Sequence, residues 1–148
     1  MEKVIIAVEK KTRLVEVIMA YVIASLMAAL SFLLNRAALR YIGVNSVVTY
    51  GPVMEEGAKT LLAYWLGADI FLTHVTFGVI EAIYDMVTAR YKVVAALLSI
   101  AGHSLFGFTT SVVLVVTGYV VFSLAAAIAI HLAWNITVIR LSHRKDSL

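Results

Sequence analysis

The stretch GPVMEEGAKTLLAYWLG, Gly51 to Gly67, is apolar enough to cross a membrane, yet it holds Glu55, Glu56 and Lys59 near its middle. An ionisable side chain at mid-bilayer costs about 2.5–3.5 kcal/mol on insertion scales. Glu81 and His131 lie similarly deep in later apolar runs, with His103 close to the centre of another. Left unpaired, the set would cost on the order of 10 kcal/mol. A chain of 148 residues tolerates that only if the groups meet one another in a wet space between helices. The charges are therefore expected to converge and to turn away from lipid.

Composition supports a membrane setting. Hydrophobic residues make up 62% and charged residues 14%, against about 45–50% and about 25% in an average soluble domain. The length bounds the chain to one domain. The absence of cysteine excludes disulfides, thiolate metal sites and a cysteine nucleophile. The net charge of +3 is small, and no basic patch is interleaved with aromatics, so nucleic acid is not an expected partner. The start, MEKVIIAVEKKTR, lacks the small-residue cleavage site of a signal peptide, and the first span reads as retained.

A helix needs about 20 mostly apolar residues to span hydrocarbon. Five stretches qualify: 14–34, 47–66, 70–89, 93–116 and 119–139. Lipid cannot satisfy an open backbone, so all five are expected to be helices. The expected architecture is an all-α membrane protein of about five transmembrane helices, a single domain in which the last four form the working bundle. Residues 1–13 read as an N-terminal segment, 14–46 as the first helix and its loop, 47–140 as the four-helix core and 141–148 as a basic tail. Arg36 and Arg40 separate the first two spans. With five spans the termini face opposite sides. Arg36, Arg40, Arg90, Lys92, Arg140, Arg144 and Lys145 collect on one side, and Lys3, Lys10, Lys11 and Arg13 on the other. The positive-inside rule then puts the N-terminus outside a cell membrane and the C-terminus in the cytoplasm.

Spacing assigns one polar face to each of the last four helices. Glu55 and Lys59 are i,i+4 neighbours, an orientation that favours pairing. Pro52, one turn earlier, is expected to loosen the helix and admit water. Phe77, Glu81, Tyr84 and Asp85 share a face. Ser99, His103 and Gly107 make a stripe on the fourth helix, and Ser123, Ala127, His131 and Asn135 one on the fifth. Glu81, His103 and His131 together are a two-histidine, one-carboxylate set, the ligand type of a hydrolytic zinc site with an open position. Glu55 or Glu56 remains as general base for a water. Asn135 suits an oxyanion or the orientation of His131. A metal-free alternative has Glu55 activate the water directly while the histidines stabilise developing charge. Each residue also has a plainer reading: Glu55 and Glu56 as a packing ion pair with Lys59, each histidine as a hydrogen-bonded bundle residue, Asn135 as helix–helix glue. Tyr84, Trp65 and Trp134 suit packing or the interface, Asp85 either headgroups or support of Glu81, and Phe77 and Gly78 packing. His74 and His143 receive no role.

EEGAK (55–59), FGVIEAIY (77–84), HSLFG (103–107) and HLAWN (131–135) occur in that order, one per helix. This pattern resembles the PrsW family of intramembrane proteases, within the wider superfamily of CAAX proteases and bacteriocin-processing enzymes. The resemblance covers residues from about 50 to 140, most of the chain after the first helix. It implies hydrolysis of a peptide bond in a membrane-bound peptide or protein. It casts Glu55 as base with Glu56 supporting it, and Glu81, His103 and His131 as the zinc or water-binding set. Asn135 becomes the oxyanion partner, with Lys59, Tyr84 and Asp85 in support. Family members usually carry more spans, so the chain reads as a minimal core or as one that works as a homo-oligomer. Two other readings stand beside the protease. One is a non-catalytic membrane scaffold of the same superfamily, as one gamma-secretase subunit is thought to be. The other is a proton- or ion-coupled transporter, since buried carboxylates and histidines also form relays.

Overall fold

The computed structural model describes the backbone of residues 1–146 and their side chains except 2–3, 44–48 and 142–146. His143, Arg144 and Lys145 of the basic tail lie outside the described side chains. Every element is a helix: α1 Glu2–Tyr41, α2 Val44–Leu66, α3 Ile70–Thr88, α4 Lys92–Thr117 and α5 Val120–Asp146. α2 packs on α3, α3 on α4, α4 on α5 and α5 back on α2, closing a four-helix ring; α1 lies along its α2–α3 edge. The most extensive contact is between α3 and α4.

Among the described residues, four helices are long and apolar enough to cross a membrane: α1, α3, α4 and α5. α2 has the length, at 23 residues, but Glu55, Glu56 and Lys59 leave it short of an ordinary span. The distribution of side chains is inverted relative to a soluble protein. Val87, Val93, Val115 and Val121 face outward, while Glu56, Lys59, Thr60, Thr73, His74, Thr110 and Ser123 are fully enclosed. Such a molecule is stable with lipid, not water, against its outer surface. The apolar part of the interior is largely small: Ala20, Ala24, Ala63, Ala82, Ala96 and Ala127 are buried, which lets backbones approach closely, as membrane helices require.

α1 differs from expectation. Residues 1–13 are not a separate segment, nor do Arg36 and Arg40 begin a loop; one helix of 40 residues runs through both. The physical reason is local. No glycine or proline occurs before Gly43, and arginines are good helix formers. At 1.5 Å per residue the rod is about 60 Å long, twice the hydrocarbon thickness. The Asp69 N–H reaches the Glu16 carbonyl at 3.5 Å, which fixes the bundle's edge there; the residues before Glu16 project beyond it. The remaining breaks fall as expected. Gly67 and Gly118 close α2 and α4 in the left-handed conformation, at φ 64° and 73°, and the Asp69 carboxylate caps α3 by accepting from the Leu72 N–H at 2.8 Å. Pro52 does not interrupt α2.

Two glycines set the α3–α4 distance. A Cβ on Gly107 would lie 2.6 Å from the Cβ of His74, and one on Gly78 would lie 2.7 Å from the Cβ of His103. Each helix thus seats a histidine against the bare backbone of the other. Gly107→Val should therefore lower stability by about 1–3 kcal/mol. Gly57→Ala, whose Cβ meets nothing within 4 Å, should hold or raise it by up to about 1 kcal/mol. Thermal unfolding of both variants in detergent micelles checks the pair.

Candidate functional site

Glu56 is the hub. It has no solvent exposure. Its Oε1 accepts from Lys59 Nζ at 2.8 Å and from His131 Nδ1 at 2.9 Å, while its Oε2 lies 3.4 Å from His74 Nδ1. One carboxylate thereby joins α2, α3 and α5. Lys59, equally enclosed, carries the network to α4: its ammonium donates to His103 Nδ1 at 3.1 Å and rests 4.0 Å from the centre of the Phe77 ring. An ammonium has only donors, so His103 Nδ1 accepts and Nε2 carries the proton. That Nε2–H donates to Glu81 Oε2 at 2.7 Å. His74 turns its other nitrogen to Thr60 Oγ1, 3.3 Å away. Aromatic rings pack the imidazoles in place. His103 lies between Phe77 and Phe106, at 4.8 and 5.3 Å between centroids, and Phe106 stacks on His131 at 4.3 Å.

The convergence expected from the sequence is present, with different pairings. Lys59 takes Glu56, three residues earlier, and not Glu55. The reason is enclosure: Glu56 has no access to water, so an unpaired charge there costs far more than at Glu55, which borders two cavities. Glu55 instead accepts from Asn35 Nδ2 of α1 at 3.2 Å. Glu81, His103 and His131 do not form one ligand set. Glu81 bonds His103, and His131 bonds Glu56. Among the described residues, the His/Asp/Glu group whose ligand atoms lie within 4.8 Å of one another is Glu56, His74 and His103. Asp85 accepts from Ser99 Oγ at 2.7 Å. Tyr84 stands apart from the cluster and packs edge-on against Phe32 of α1, 5.1 Å between centroids.

His74 and Asn35 are the residues that sequence reasoning missed. His74 had a signal: it lies one turn before Phe77 and Gly78 and two turns before Glu81, on the face already assigned to the site. Asn35 stands among apolar and basic residues near the end of a helix to which no function was given, so nothing local marked it.

Two cavities meet at this cluster. One, about 880 Å³, is walled by α2–α5 with Asn35 of α1, and includes Glu55, Glu81, His103, His131, Trp134 and Asn135. The other, about 960 Å³, lies between α1 and the α2–α3 edge. Asn35, Glu55 and Glu81 line both. Glu81 keeps 41% of its side chain exposed, and Glu55 is 8% exposed. The site thus separates a sealed inner pair, Glu56 and Lys59, from two carboxylates that face open space. The first cavity runs toward Arg90 and Tyr91 and toward Leu141, the end of the bundle where Arg36, Arg40, Lys92 and Arg140 also gather.

Zinc is the ion implied by the resemblance. Glu56, His74 and His103 are suitable donor types at a suitable mutual distance. Lys59, however, touches two of the three, at 2.8 and 3.1 Å, and His103 has both ring nitrogens engaged, by Lys59 and Glu81. A divalent ion about 4 Å from an ammonium is opposed by about 8 kcal/mol at an effective dielectric of about 20, twice the value for two unit charges. The trio as arranged does not fit zinc while the ammonium stays.

No family model, curated protein or solved structure matches the chain.

Because Glu56 and Lys59 neutralise each other in full enclosure, Lys59→Met should cost about 3–5 kcal/mol by leaving the carboxylate uncompensated. Glu56→Gln should be costly for the converse reason, and the double variant should cost clearly less than the two losses added. A double-mutant cycle on unfolding free energies in micelles measures that coupling.

Proposed function

We propose that the chain is an intramembrane peptidase that hydrolyses a peptide bond of a membrane-bound substrate, with Glu55 activating the water. The observation that carries this reading is the arrangement of Glu55 and Glu81 on one cavity at mid-bundle, alongside His103, His131 and Asn135. A carboxylate that borders a water-accessible cavity, while its neighbour Glu56 is neutralised by Lys59, is free to take a proton. The apolar walls, from Val94, Leu98, Val138 and Trp134, suit a peptide segment that arrives from lipid. The resemblance of the four motifs points the same way.

In this mechanism Glu55, oriented by the Asn35 amide, takes a proton from water as the oxygen attacks the scissile carbonyl carbon. Negative charge then collects on the carbonyl oxygen. Asn135 lines the cavity where that oxyanion would lie, and the Lys59 charge behind His103 favours it electrostatically. The C–N bond breaks as Glu55 returns its proton to the leaving nitrogen, giving an amine and a carboxylic acid that then loses its proton to solvent. Glu56 bonds His131 Nδ1, which in the neutral ring leaves Nε2 as the acceptor for the reacting groups. No step is assigned to zinc, because Lys59 stands among the donors that would hold it.

The cavity extends toward the end rich in arginine. By the positive-inside rule that end is cytoplasmic, with the N-terminus outside, so the substrate is cut from the cytoplasmic half. A proton-coupled transporter draws support from the continuous chain Glu81–His103–Lys59–Glu56–His131. Beyond it, the hydroxyls of Thr73, Thr110 and Ser123 turn back to carbonyls of their own helices, which supports a local site over a path through the bundle.

Purified protein in micelles, incubated with a library of quenched-fluorescence peptides that each carry one apolar segment, should release fluorescence. Glu55→Gln should lower that rate by about 10²–10⁴ with an unchanged melting profile. Cleavage at the normal rate by that variant would remove Glu55 from the role. Proton flux into liposomes without cleavage of any peptide would favour the transporter.

A further inference from the structure

The enclosed polar atoms around Lys59 are matched to a cation. Glu56 Oε1 and His103 Nδ1 each hold the ammonium. Among the described residues, Glu56 Oε2 and His74 Nδ1 are both buried without a hydrogen-bond partner, 3.4 Å from each other. The Phe77 ring presents its face to the same ammonium at 4.0 Å, an arrangement that favours positive charge. One carboxylate oxygen, one imidazole nitrogen and a π face thus surround the ammonium, and a second imidazole, His74, faces the other oxygen of the same carboxylate.

We propose that Lys59 is the resident cation of this cluster, standing where a divalent metal would otherwise bind, so that Glu56, His74 and His103 become a metal site only when the ammonium is removed. The inference concerns which cation the cluster holds and does not rest on the peptidase reading. Its logic is exchange. Removing the ammonium frees His103 Nδ1 and strips Glu56 of its nearest counter-charge, while Glu56 Oε2 and His74 Nδ1 are already without partners. The three donors are then a two-histidine, one-carboxylate set of the type that takes zinc or cobalt(II). In the wild-type chain the same position is filled without any metal.

Cobalt(II) tests this with a readout separate from activity, because four-coordinate cobalt absorbs strongly in the visible. Wild-type protein, stripped with chelator and dialysed against cobalt(II) in micelles, should show no such bands, and its melting temperature should not move with chelator or zinc. Lys59→Met should gain the bands at one ion per chain, and Lys59→Met/His74→Ala should lose them again. If Lys59→Met folds only when zinc or cobalt(II) is supplied, as size-exclusion and circular dichroism would report, the proposal is equally supported. Stoichiometric cobalt bands in the wild type that vanish in His74→Ala would overturn it. So would a folded Lys59→Met without metal uptake, or a Lys59→Met that no metal recovers. Loss of the peptidase reading would leave these outcomes unchanged.

Discussion

A single ion pair, Glu56 with Lys59, sets the terms for the interior. Both groups are removed from all solvent, and their attraction offsets the cost of that removal only if the remaining lone pairs and protons also find partners. Most do so on other helices: His131 on α5 and His103 on α4 bond the pair, while His74 on α3 faces Glu56 Oε2 at 3.4 Å without a hydrogen bond. In lipid no hydrophobic force drives helices together. The polar network and the close contact of small residues therefore decide how the four helices stand, and the apolar outer surface only keeps them in the bilayer.

Two adjacent acids end up in opposite conditions. About 100° of helical rotation separates Glu55 from Glu56. That rotation sends one carboxylate to the enclosed centre and the other to the boundary between two cavities. α1 completes the second environment through Asn35, so the helix outside the ring still shapes the residue given the chemical role. The Glu81–His103 contact repeats the arrangement at a distance: an imidazole buried against Lys59 supports a carboxylate that faces open space.

Much of this was legible in the sequence because charge in an apolar run is expensive. Glu55, Glu56, Lys59, Glu81, His103 and His131 stood out for that reason, and helical spacing turned them inward together. Partner choice was not legible. Spacing favours Glu55 for Lys59, but enclosure favours Glu56, and enclosure depends on the whole bundle. His74 was passed over because it sits near the start of its span, although its register matches Glu81. Asn35 is an ordinary residue in sequence and acquires meaning only from what α1 leans against. The continuity of α1 through Arg36 and Arg40 was concealed by reading charge as a loop signal, when the absence of any helix breaker before Gly43 was the stronger fact.

The seating of His74 on Gly107, and of His103 on Gly78, limits how the interior can deform. The two imidazoles are pinned at their Cβ atoms by main chain, which does not yield as a long side chain does. The rings can still turn about their own bonds, but no rotamer change separates the two backbones. Moving the histidine Cβ atoms away from the facing main chain requires α3 and α4 to part, so the spacing of the histidines follows the spacing of the two helices.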